Sequence, residues 1–177
     1  ESLANEFGAN KTDGKNVLKA YEETGEIAPK LLRRFGITDG NRQTLTLGML
    51  MTQLINPYRY GLFTLLYEAE SPEGESLAEY ADKEWKGEKH IGETPLKIIE
   101  EVKQHGDNAV AALQSIKNIS KNKQEFDRIR NDVYSYQAMA YHFAFKAQAA
   151  LLVLRYKYSN DISDLNKALP LLQQRVE

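Results

Sequence analysis

Apolar residues recur at alternating steps of three and four along the last third of the chain: Phe126, Ile129, Val133, Tyr136, Ala140, Phe143, Ala147, Ala150 and Leu154. That spacing holds one stripe on a single face of an α-helix. Neither Gly nor Pro interrupts Lys121 to Asn160. The pattern therefore predicts one helix over about 122–158, roughly 55 Å long at 1.5 Å per residue. A second stripe of Tyr134, Tyr141, Phe145, Leu152 and Tyr156 runs along another face. A helix apolar on two faces is normally flanked by neighbours, so this one is expected to be the central strut of an all-α, antiparallel helical bundle. Ala140, Ala147 and Ala150 let a neighbouring helix approach closely.

Shorter patterns flank the strut. Thr94 followed by Pro95 reads as a capping hydroxyl with proline at the first helical position. Ile98, Ile99 and Val102 supply that helix's buried face, and Gly106 is its expected left-handed stop. Asp107 is then expected to cap a further helix with Val110, Leu113 and Ile116 facing inward. After the strut, Ser159 to Asp161 form a turn and Ser163 is the expected N-cap of a last helix. Pro170 either kinks that helix or marks a later start.

The first 93 residues are less regular. Val17, Leu18 and Tyr21 predict a helix ending at Gly25; Ile27, Leu31, Leu32 and Phe35 predict another ending at Gly36, with Pro29 in its first turn. Leu45 to Ile55 is apolar nearly all round and reads as a buried helix stopped by Asn56 and Pro57. Tyr58 to Tyr67 fits helix or strand by period, and helix by its surroundings. Leu77, Tyr80, Ala81 and Trp85 give a short amphipathic helix, followed by a polar loop from Lys86 to Glu93. The chain thus divides on paper into an irregular, aromatic-rich half (1–93) and a regular half (94–177). Glu1 opens without an initiator Met or leader, and the chain stops inside a helical pattern at Val176 and Glu177. The expectation is one domain cut from a larger chain, with neighbouring domains of that chain as partners.

Composition narrows the classes. With 177 residues, 42% of them hydrophobic and 27% charged, the chain is in the globular range and large enough for a core without staples. A net charge of −2 argues against a nucleic-acid surface. Zero cysteines exclude disulfides and thiolate metal sites. No apolar run approaches a membrane span. A strut with two apolar faces leaves room for burial against a second copy, a homodimer.

Recognisable catalytic chemistry is sparse. His90, His105 and His142 have no metal-ligand spacing and read as structural or solvent-facing. Phosphate-cradling glycine loops and a GxSxG elbow do not occur. Carboxylates cluster at Glu22 and Glu23, Glu73 and Glu75, and Glu100 and Glu101, beside lysines or in a polar loop, so they read as solvated faces without a catalytic role. No metal or cofactor is expected. Asn41 and Arg42 precede the buried helix and are read equally as a plain cap with a surface charge or as an anion contact. Tyr58, Tyr60, Tyr80 and Trp85 lie near Pro, Gly and charged residues. Such amphipathic rings either pin helix ends to the core or, together, line a groove for a glycan or peptide.

The runs GITDGNRQTLTLGMLMTQLINPYRYG, AYHFAFKAQAALLVLRYKY and NKALPLLQQ give the chain a further likeness. It resembles the helical regions that accompany catalytic domains in large secreted glycan-degrading proteins of Bacteroidetes-type bacteria. That resemblance implies an accessory domain of a glycoside hydrolase, not catalytic by itself, that braces neighbouring modules at a periplasmic or cell-surface location. Nothing here matches a glycosidase acid or nucleophile signature. The segment from Tyr134 to Val176 also looks like tetratricopeptide-type helix pairs of glycan-binding lipoproteins, though without the 34-residue repeat. The alternative it implies is a glycan- or peptide-binding interaction module.

Overall fold

The computed structural model describes residues 2–36, 67 and 74–174. It is all-α, as the periodicity requires. The helices are α1 (Ser2–Phe7), α2 (Lys11–Leu31), α3 (Leu77–Lys86), α4 (Pro95–Gln114), α5 (Lys123–Ser159) and α6 (Ile162–Gln173), with a π-helical turn at Leu32–Gly36. Among the described residues the one β-type pairing is an isolated parallel bridge between Gly74 and Glu93. The chain forms two compact units. The first combines Glu1–Pro29 with Glu101–Tyr141, the second Lys30–Glu100 with His142–Val176.

The long strut is present one residue from its expected bounds. Asn122 precedes it with a positive φ of 46°, its side chain donating to the Glu6 carbonyl. Asn160 stops it in the left-handed conformation, φ 53°, where its backbone N–H still reaches the Tyr156 carbonyl. The first stripe is buried at Ile129, Val133, Ala140, Ala147, Ala150 and Leu154, but Tyr136 is exposed. The second stripe is only half covered, with Tyr134 in solvent.

Two expected helix stops are absent. α4 runs unbroken through Gly106, and α2 runs through Gly25. At Gly106 the reason for glycine is packing: an added Cβ meets the Gln137 Cα at 3.1 Å. Asp107 caps nothing; it accepts hydrogen bonds from Gln137 Nε2 (2.9 Å) and the Tyr141 hydroxyl (3.0 Å) across to α5. Pro29 sits at the end of α2 instead of starting a helix. It has no N–H for the Gly25 carbonyl four residues back, and the helix loosens into the π turn just beyond it. The last helix is capped by Asp161, not Ser163, whose backbone N–H donates to Asp161 Oδ1 at 2.9 Å. Asp161 takes the role because its carboxylate also accepts from the Ser163 hydroxyl. Pro170 lies inside α6, so the later start does not occur. Thr94 does cap α4, accepting from the Lys97 amide at 3.3 Å.

In the first unit Phe7, Val17, Ala20, Ala109, Val110, Leu113, Ile129 and Val133 form one buried cluster. α4 runs opposite to α2 there: Asp13 near the start of α2 meets Lys117 and Asn118, while Glu23 farther along meets His105. In the second unit Ile98 and Ile99 of α4 are buried, as are Ala144, Ala147, Ala149 and Ala150 of α5. The alanines leave one side of α5 with little bulk, and Phe35 stacks on Phe143 at 6.3 Å between ring centres.

Candidate functional site

The second unit holds the candidate site. α3 is short but firmly bounded. Ser76 and Glu79 form a reciprocal capping box, with Glu79 N–H to Ser76 Oγ at 3.2 Å and Ser76 N–H to Glu79 Oε2 at 2.7 Å. Gly87 closes the helix at φ 68°, a left-handed conformation that suits glycine. Between these ends Leu77 and Ala81 point into the core. Tyr80 and Glu84, one helical turn apart, and the adjacent Trp85 are left facing a groove.

That groove encloses about 520 Å³. Its opposite wall is one face of α5, where Gln148, Leu151, Leu152 and Arg155 follow the same helical spacing, with Leu96 of α4 and Leu171 of α6 beside them. Trp85 is 51% exposed and lies nearly parallel to Tyr158, ring centres 5.8 Å apart. The floor is apolar, the rim carries one carboxylate, one amide and one guanidinium, and an indole face is open to solvent. Such a lining suits a ligand with both apolar faces and hydroxyls.

A charged cluster adjoins the groove. His90, in the loop after α3, stacks on Tyr80 at 4.2 Å. Its Nδ1 is 2.6 Å from Glu75 Oε2 and its Nε2 is 2.7 Å from Glu84 Oε1. Glu75 also accepts from Lys83 Nζ at 2.8 Å and from the Ile91 amide at 2.6 Å. Burial pushes the Glu75 carboxyl up, but Lys83, Ile91 and His90 outweigh it and hold the pKa at about 2. Hydrogen bonds accepted by Glu84 and then Glu75 raise that of His90. Burial, then Glu84 and Glu75, raises that of the Tyr80 phenol. Backbone contacts lock the loop in place: Glu75 N–H reaches the Glu93 carbonyl at 2.9 Å, and Gly74 lies so close to Glu93 that a Cβ finds no room. Arg33 pairs with Glu93.

Of the four aromatic residues expected to bind a ligand, Tyr80 and Trp85 meet in this groove. Tyr58 and Tyr60 lie outside the described residues, as do Asn41, Arg42, Glu73 and the expected helix from Leu45 to Ile55. The expectation that Glu75 belongs to a solvated face is corrected: it is 3% exposed, because the three hydrogen bonds of its carboxylate replace water. Sequence reasoning also missed the rest of the groove. Arg155 and Gln148 look like surface positions of the strut until α3 is placed beside them. The other histidines are elsewhere: His105 pairs with Glu23 at 2.7 Å, and His142 lies edge-on to Phe143, its pKa lowered by burial and then by Lys146. No group of three potential metal ligands occurs among the described residues. No helix among them is long and apolar enough to cross a membrane.

No family model and no curated protein matches the chain. Among solved structures it is similar to a GH138 enzyme targeting pectin rhamnogalacturonan II, at 48% sequence identity and a TM-score of 0.78. The match covers 97% of this chain and 25% of the other, so the chain spans about a quarter of that enzyme's length. It is therefore related to part of a glycoside hydrolase, which agrees at that coarse level with the likeness carried by the sequence.

Proposed function

We propose that this chain is a helical accessory region of a larger polysaccharide-processing protein, one that braces or positions neighbouring modules and performs no bond cleavage itself. The observation that carries this reading is the extent of the match: nearly all of the chain aligns with a quarter of a glycoside hydrolase. Such a reading separates the fold, which is shared, from the hydrolytic chemistry, which belongs to the site of the whole enzyme. The test is incubation of the purified 177-residue chain with pectic oligosaccharides and a chromogenic glycoside panel. The expected result is no new reducing ends; hydrolysis that scales with protein and survives repurification overturns the reading.

A second reading is favoured by the groove. Tyr80 and Trp85 line one wall and Gln148 and Arg155 the other, around an apolar floor. A pyranose ring has an apolar face for an indole and hydroxyls for an amide and a guanidinium. The groove then takes a pectic oligosaccharide, the class of polymer that the related enzyme targets. Saturable change in Trp85 fluorescence on titration with such oligosaccharides, lost in Gln148→Ala, is the expected outcome. An unresponsive Trp85 leaves bracing as the only role.

A further inference from the structure

His90 has two carboxylates as partners, one at each ring nitrogen, at 2.6 and 2.7 Å. Ionised carboxylates only accept hydrogen bonds. Glu75 is kept ionised by Lys83 and the Ile91 amide. Both nitrogens of His90 must therefore donate, and a ring with two N–H groups is an imidazolium. A neutral ring turns one lone pair toward a carboxylate and breaks that contact. The weaker side is Glu84: its side chain is 58% exposed, whereas that of Glu75 is 4% exposed and held by other donors. Glu84 and the Tyr80 ring on which His90 stacks both line the groove.

We infer that His90 is a proton-operated clasp on the groove: doubly protonated, it ties Glu84 and the loop after α3 to Glu75, and on losing a proton it releases the Glu84 carboxylate into the groove. The inference rests on the groove as the binding site of this unit and names its regulation. Among the described residues the charged and titratable groups of this cluster include Glu75 ahead of α3, Glu79, Tyr80, Lys83 and Glu84 on α3, Glu93 in the loop, and Arg33 and Arg34 of the π turn. Deprotonation removes one positive charge from between Glu75 and Glu84. The raised pKa of His90 agrees in sign. A group whose folded pKa lies above its unfolded value stabilises below the unfolded pKa and loses that contribution as pH rises through the folded one. The clasp is closed in acid and opens as pH rises through the raised pKa of His90, and a groove that binds an anionic or hydroxyl-rich ligand weakens or reorients as it opens.

The experiment needs no ligand. Imidazole nitrogen spectra of the isotopically labelled 177-residue chain are followed from acid to alkaline pH, with Trp85 fluorescence in parallel. The expected result is two protonated ring nitrogens on His90 at about pH 6 and a midpoint above the ordinary 6.5 of a histidine. The Trp85 emission change shares that midpoint. Glu84→Gln lowers the midpoint, and His90→Gln abolishes the emission change while the far-ultraviolet helical signal stays. A single neutral tautomer of His90 at about pH 6, or a midpoint that Glu84→Gln leaves unmoved, overturns the clasp. A groove that ignores oligosaccharides at every pH overturns the binding reading and leaves the nitrogen titration intact. Equal oligosaccharide affinity on both sides of the His90 midpoint overturns the regulation alone.

Discussion

The two compact units close their interiors by different means. In the first, Phe7, Val17, Val110, Leu113, Ile129 and Val133 fill the space, and one buried carboxylate, Asp13, ties the loop after α4 by accepting the Lys117 and Asn118 amides at 3.2 and 3.1 Å. In the second, Arg34, Glu75 and Asp164 are buried, small alanines line α5, and a groove remains open. Burying charge opposes folding unless each group is paired. Arg34 is an acute case: it is 2% exposed, its Nε and Nη2 atoms have no hydrogen-bond partner among the described residues, and the Phe35 ring lies 5.6 Å away. Local departures from consistent packing gather where function is.

The largest expected effect tests the apolar cluster of the first unit. Phe7 is 1% exposed and packs edge-on against Phe126, so Phe7→Ala should cost about 3–5 kcal/mol by urea unfolding. Hydrogen exchange should then rise first at the amides of α1, α2 and the first half of α5. Uniform exchange across both units breaks the comparison.

The next effect belongs to the ionic interior of the second unit. Glu75→Gln removes charge-assisted bonds to Lys83, His90 and Ile91 and should cost about 2–3 kcal/mol at neutral pH. Its pH signature has a definite sign. Folding depresses the Glu75 pKa from 4.5 to about 2, so the contribution is complete above the higher value and fades as pH falls toward the lower. Thermal midpoints of wild type and Glu75→Gln should therefore converge in acid. A gap that stays constant down to about pH 2 removes the ionic account.

The smallest effects separate two glycines. Gly106→Ala forces a Cβ against the Gln137 backbone and should destabilise by about 1–3 kcal/mol. At Gly25 an added Cβ meets nothing within 4 Å, so Gly25→Ala should stabilise by about 0.5–1 kcal/mol. Midpoint shifts of opposite sign, at about 2–4 °C per kcal/mol, check both. A loss at Gly25 means that this face of α2 is in contact with something in solution.

These glycines also mark the limit of what was legible in the chain. Both sit inside helical patterns and both were expected to end a helix. Neither does, because neighbouring turns and tertiary contacts outweigh the modest helical cost of one glycine. For the site, the placement of Tyr80 and Trp85 on one short amphipathic helix follows from the local pattern. The facing wall does not, since Leu96, Gln148, Arg155 and Leu171 come from three other helices. His90 was legible only as a histidine without a metal pattern. Its two carboxylates stand fifteen and six residues away and meet it only because the loop after α3 folds back onto the residues before α3.

What the sequence determined by itself is therefore what short-range physics controls: an all-α chain, the extent of the strut, the start of α4 at Thr94 and Pro95, and the short helix bearing Tyr80 and Trp85. Stripe periodicity and caps act within a few residues, so they are written in order along the chain. Only the tertiary structure decided which glycines pack, which carboxylate is buried and which side chains share the groove. Those outcomes depend on contacts between distant segments, whose desolvation and shape no local pattern encodes.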